Sequence, residues 1–135
     1  MPTSATDTFG AQKLEPAFRA DLAVVIGVPI ANSQTIAKGT VLGKVTTGGK
    51  YKAYNDANSD GTEVARVIAQ YDITSDASGN VTISNERGAT VSKLAPVYAQ
   101  GYFRTEDLTG LDANGVADLG YVYTGDTTTG LLRVR

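Results

Sequence analysis

Apolar positions come in short runs along this chain, each closed by Gly, Asn, Asp, Ser or Pro. The longest is Leu22-Ala23-Val24-Val25-Ile26-Gly27-Val28-Pro29-Ile30. It is dominated by β-branched residues and is of strand length, which predicts a buried β-strand. Residues 40–45 and 50–54 flank Thr46-Thr47-Gly48-Gly49, the pattern of a hairpin. A polar loop, Asn55-Asp56-Ala57-Asn58-Ser59-Asp60-Gly61, comes next. Between Val64 and Ile73 two periods compete. Val64, Val67, Ile68 and Tyr71 fit a helical stripe, whereas Ala65, Val67, Ala69, Tyr71 and Ile73 alternate strictly, and the β-branched content favours a strand.

Asp76-Ala77-Ser78-Gly79-Asn80 is turn chemistry before a short strand at 81–84, and Asn85-Glu86-Arg87-Gly88 turns again before residues 89–94. Pro96 lacks an amide donor, so residues 97–103 are expected to begin as an edge or fresh strand. Residues 112–117 hold the one helical signal, weakened by Gly115, and strands at 121–123 and 131–134 close the chain. Many short strands at regular spacing predict a mainly β, small single-domain fold of β-clip or barrel-like form with little helix.

The first twenty residues break the pattern. Residues 1–10 are rich in Thr, Ser and Asp, and residues 12–20 carry only Leu14 and Phe18 as large apolar side chains. So little apolar area does not offset the entropy of ordering the segment, which reads as a flexible N-terminal arm over 1–20 on a β-rich domain over 21–135. Phe9, Leu14 and Phe18 recur at intervals of four or five and are the candidate anchors of such an arm on a partner.

Composition narrows the chemistry. The 135 residues include 12 basic and 14 acidic side chains and a net charge of -2, which gives no electrostatic case for nucleic acid. Cysteine is absent, excluding disulfides, thiolate metal sites and thiol nucleophiles. Histidine is absent too, which removes the usual general base and the commonest metal ligand. The longest apolar run falls well short of the ~20 residues that cross a bilayer. It also lacks the flanks of a secretory signal, since Asp7, Glu15 and Asp21 precede it and no small-residue cleavage site follows.

Several motifs invite a chemical reading. Asp56, Asn58 and Asp60 before Gly61 match the first half of a calcium loop. The position that should close the shell with a bidentate Glu is Val67, so turn chemistry accounts better for the loop. Glu63, Glu86, Glu106 and Asp107 are the carboxylates available for a histidine-free hydrolase, with nothing to bring two of them across a cleft. Ser92 and Lys93 are adjacent, so on a strand they point to opposite faces. Gly39-Thr40-Val41-Leu42-Gly43-Lys44 does not fit phosphate-loop spacing and reads as a bent strand. Tyr51 and Tyr54, or Tyr121 and Tyr123, have the chemistry to stack on sugars, and equally to sit half-buried on a sheet or at a protein interface.

Four stretches in order carry a family likeness: Ile36-Ala37-Lys38-Gly39-Thr40-Val41-Leu42-Gly43; Tyr51-Lys52-Ala53-Tyr54; Asp60-Gly61-Thr62-Glu63-Val64-Ala65 with Arg66-Val67-Ile68-Ala69; and Gly101-Tyr102-Phe103-Arg104-Thr105-Glu106-Asp107-Leu108. Together, over roughly residues 30–110, they resemble the lambda-type head decoration proteins of tailed bacteriophages. The resemblance implies a β-clip homotrimer at three-fold and quasi-three-fold sites of the expanded capsid. In that family an N-terminal arm adds a strand to the major capsid protein. The resemblance further implies a virion location on the outer capsid surface after synthesis in the host bacterial cytoplasm, with no cofactor, no metal, no membrane and no enzymatic step. Residues 111–135 depart from the lambda-type pattern in reading as more β-rich and less helical. Two other readings stand behind this one: a β-sandwich carbohydrate module, calcium-assisted through Asp56, Asn58 and Asp60, and a carboxylate hydrolase.

Overall fold

The computed structural model describes residues 23–85 and 87–135, and these are mainly β with one short α-helix among them. The strands are β1 (Val24–Val28), β2 (Thr35–Ile36), β3 (Val41–Lys44), β4 (Tyr51–Ala53), β5 (Ala65–Ala69), β6 (Asp72–Ser75), β7 (Val81–Asn85), β8 (Gly88–Ser92), β9 (Ala95–Arg104), β10 (Gly120–Gly125) and β11 (Gly130–Val134). A 3-10 turn at Thr105–Asp107 follows β9, and helix α1 spans Ala113–Leu119. A seven-stranded sheet, in the order β10-β11-β9-β5-β3-β4 with β1 also on β9, curls into half a barrel. A second sheet, β2-β6-β7-β8, lies against it.

Three bulges shape the large sheet. Register skips Arg66 between β3 and β5, Ala99 between β1 and β9, and Tyr123 between β10 and β11. A bulge bends its strand, raises the local twist and moves every later side chain to the other face. The core divides accordingly. Leu42, Val67, Ala69, Ala95 and Val97 meet Ile36, Ile73, Val81 and Ile83 of the second sheet. On the opposite side, Val41, Ala65, Ile68, Tyr98, Phe103, Leu132 and Val134 enclose Leu119 of α1 inside the curl. Tyr98 and Phe103 pack edge-on there, centroids 5.2 Å apart.

Three readings of the sequence are corrected. The run through 22–30 does contain a strand, but Val24, Val25 and Ile26 of β1 are exposed, and burial begins only at Val28 and Ile30. The alternating stretch 64–73 is two strands in two sheets. The Arg66 bulge puts Ala65 and Val67 in different cores, and the chain changes sheet at Gln70-Tyr71. Pro96 is the second residue of β9 rather than its boundary, and β9 is not an edge, since Val97 and Tyr98 pair with both β1 and β5. The Gly-Gly hairpin, the strands at 81–84, 121–123 and 131–134 and the short helix near 112–117 form, each within a few residues of its expected bounds.

Candidate functional site

The seven-stranded sheet is covered on both sides only where the second sheet reaches it. Beyond the Ala99 bulge, Phe103 points into the curl, so Tyr102 points out, and the same alternation turns Arg133 and Tyr121 outward while Leu132 and Val134 point in. Tyr102, Arg133 and Tyr121 are paired in register across β9, β11 and β10, forming one row. The Arg133 guanidinium lies 5.7 Å from the Tyr102 ring centroid and 6.0 Å from that of Tyr121, and donates to the Tyr121 hydroxyl at 3.2 Å. Tyr123 packs at 6.4 Å from both Tyr102 and Tyr121. Beside the row, a hollow of about 170 Å³ runs past Gln100, Gly101 and Arg135.

These rings do not form a flat stacking plane. Tyr102 and Tyr123 stand at 89° to each other, and Tyr121 and Tyr123 at 46°. Tyrosine rings on either side of a guanidinium make an amphipathic surface of the sort proteins use against proteins. The second exposed apolar feature is β1. Val24, Val25 and Ile26 show 41–45% of their surface, and Leu94 packs over Gly27 while remaining 48% exposed.

The remaining candidates are dispersed. Tyr51 leans on the first core, and Tyr54 is buried in the second, donating its hydroxyl to Asp112 Oδ1 at 2.7 Å. Burial first, and then that bond to a carboxylate, hold the Tyr54 phenol well above its ordinary ionisation range. Asp112 in turn caps α1 through Gly115 N at 2.7 Å.

The polar loop's side chains point to separate partners. Asp56 accepts from Asn114, Asn58 donates to the buried Thr62, and Asp60 pairs with Lys52 at 2.8 Å while accepting from Thr62. The bonds from Lys52 and Thr62 hold the Asp60 carboxyl far below the usual carboxylate range. Gly61 has a positive φ of 109° and lies against the Lys44 carbonyl, where no side chain fits. Among the described residues no three acidic side chains converge as metal ligands.

Glu63 accepts from Gly61 N in an open hollow between Lys44 and Arg66, whereas Glu106 and Asp107 lie on the 3-10 turn after β9. Glu86 lies outside the described residues. Ser92 accepts from Leu94 N, and in the stretch read as a bent strand Gly39 instead lies in the turn before β3, which begins at Val41. The arm positions Phe9, Leu14 and Phe18 also lie outside the described residues.

Compared with known families, the chain matches the model for bacteriophage lambda head decoration protein D over residues 24–119, from the first residue of β1 to the last of α1. That is 96 of the 135 residues. The chain belongs to the phage head decoration protein family. No curated protein and no solved structure matches it. The family is structural, and it places this decoration protein on the capsid of the virion. Among its described residues, no helix is long and apolar enough to cross a membrane.

Sequence reasoning singled out Tyr121 and Tyr123 of the decoration protein but missed that Tyr102 and Arg133 join them, and it missed the exposure of β1. The signal for the first was present: Tyr121-Val122-Tyr123 and Leu132-Arg133-Val134 alternate, and an Arg directly across from two Tyr residues is a cross-strand pairing. The signal for the second was hidden, since an exposed edge strand and a buried one share the same β-branched composition.

Proposed function

We propose that this decoration protein stabilises the expanded capsid as a homotrimer at its three-fold and quasi-three-fold sites. In this reading, residues 1–20 form an arm that adds a strand to the major capsid protein, with Phe9, Leu14 and Phe18 as its anchors. Strand addition supplies backbone hydrogen bonds for affinity and alternate side chains for specificity. Docking costs ordering entropy, so the arm engages only a shell that presents the receiving edge. The protein acts without turning over a substrate, and it is made in the host bacterial cytoplasm before it joins the shell.

The observation that carries this reading is the family match across β1 to α1. The exposed β1 supports it, because that strand begins at Val24, close after the proposed arm in the sequence. The test is deletion of residues 1–20. The truncated protein is expected to remain a folded trimer that no longer sediments with expanded capsids; undiminished co-sedimentation refutes the arm.

A further inference from the structure

One edge of β9 carries two strands end to end. β1 and β5 both pair with Val97 and Tyr98, so they lie on opposite edges, and the sheet order puts β11 on the edge that β1 uses. β11 ends at Val134 opposite Gly101, and β1 begins at Val24 opposite Gln100. With β11 in that place, the chain that enters β1 arrives at Gly101 from outside the ladder rather than along β9. A side chain at Gly101 would stand 3.3 Å from Ala23 Cβ, and Ala23 packs against the core inside the curl, which fixes the point of entry.

The hollow of about 170 Å³ opens at this junction, lined by Gln100, Gly101, Tyr102, Arg133, Val134 and Arg135. Its charged side chains are of one sign. Arg133 lies between the rings of Tyr102 and Tyr121 and donates to the Tyr121 hydroxyl. Among the described residues, no carboxylate pairs with Arg133 or Arg135. A guanidinium has five donors in a fork that matches a carboxylate, so most of this capacity is uncommitted.

We propose that the hollow is the seat of Asp21 and Leu22, the two residues that join the proposed arm to the first described residue, with the Asp21 carboxylate between the guanidinia of Arg133 and Arg135 and Leu22 against the Tyr102 ring. The inference depends neither on the trimer nor on the capsid reading.

Three observations favour this occupant. The first is reach: Asp21 is two residues from Ala23, hence within ~7 Å of a residue that already touches the hollow's rim. The second is charge, because Asp21 is the one acid between Pro16 and Leu22, and it arrives where two cations lack a counter-ion. The third is preparation. The rings and the Tyr121 hydroxyl already place Arg133, so pairing costs it little further rotamer entropy. An isolated exposed ion pair holds a chain weakly. Here two guanidinia flank one carboxylate, and the adjacent leucine adds apolar contact with an aromatic ring. The seat sets the point from which residues 1–20 leave the body.

The test measures backbone amide order parameters by nitrogen relaxation on the full chain. Wild type is compared with Asp21→Ala, with the Arg133→Gln/Arg135→Gln double variant, and with Glu15→Ala as a control acid farther up the segment. In wild type, Asp21 and Leu22 are expected to approach the ~0.85 of rigid backbone; in Asp21→Ala and in the double variant they should fall below about 0.6. Glu15→Ala should leave them unchanged, and β9 should stay rigid in every protein. Wild-type values below about 0.6 overturn the seat and leave the hollow open to a separate partner. High values that survive both sets of changes show that something other than this ion pair holds the link, and a loss of order in Glu15→Ala assigns the wrong acid. Should the double variant loosen β9, Asp21→Ala decides alone, since it leaves every side chain of the sheet in place.

Discussion

At the scale of single residues, the polar side chains of this protein are spent on holding loops against sheets. Asp112 illustrates the arrangement, serving two elements at once: it caps α1 through Gly115 N and accepts the hydroxyl of Tyr54 from the end of the β3–β4 hairpin. Removing the carboxylate deletes a helix cap and leaves a buried hydroxyl without its partner, whereas removing the hydroxyl costs one hydrogen bond. We predict that Asp112→Ala loses about 2 kcal/mol and Tyr54→Phe about 1 kcal/mol. The double variant should lose less than the sum, because the two share one interaction. Thermal unfolding of the four proteins measures this; strict additivity refutes the coupling. Asp112 was readable as a helix start from its place before a weak helical stretch, but its second partner lies 58 residues away and leaves no local trace. The loop from Asp56 to Gly61 shows the converse. Its spacing imitates a cation site, and only the placement of Asn114, Thr62 and Lys52 reveals where its oxygens go.

Among the elements, β9 organises the fold. It pairs with β1, β5 and β11 along its length and carries the fully buried Tyr98 and Phe103 into the curl. β8 is its opposite, an edge strand of the small sheet with every residue exposed. Amide hydrogen exchange is therefore expected to be slowest in the middle of β9 and fast throughout β8, with a difference of several orders of magnitude in protection. Comparable protection in the two strands contradicts this order of stability.

Strand existence was legible wherever turn residues bracket β-branched runs, as at the Gly48-Gly49 hairpin and at 81–84. Strand partnership was not. The run from Val64 to Ile73 reads as one alternating strand because a bulge inserts a residue without altering local composition. Arg66 shows no mark in the sequence of being the inserted residue. The exposure of β1 was hidden for a related reason: an apolar strand left exposed is written in the same residues as a strand kept for the core.

At the scale of the molecule, the proposed trimer and its proposed arms bear together on attachment. If three copies assemble as proposed, three arms leave one particle, and once one has docked the other two face the shell at high effective concentration. Each arm then needs only modest affinity, which keeps the protein off shells that do not present the receiving strands. This arrangement predicts the behaviour of a subunit that keeps its arm but has lost its neighbours. The wild-type protein, diluted until it is monomeric, should bind expanded capsids 10²- to 10⁴-fold more weakly than the trimer. Titrating labelled protein onto purified expanded capsids measures this. The comparison with the arm-deleted trimer separates the two contributions, since one protein lacks multivalency and the other lacks the contact itself. A monomer that binds as tightly as the trimer would show that a single arm suffices. The three-fold placement would then have to be explained by the shape of the shell alone, rather than by three weak contacts acting as one strong one.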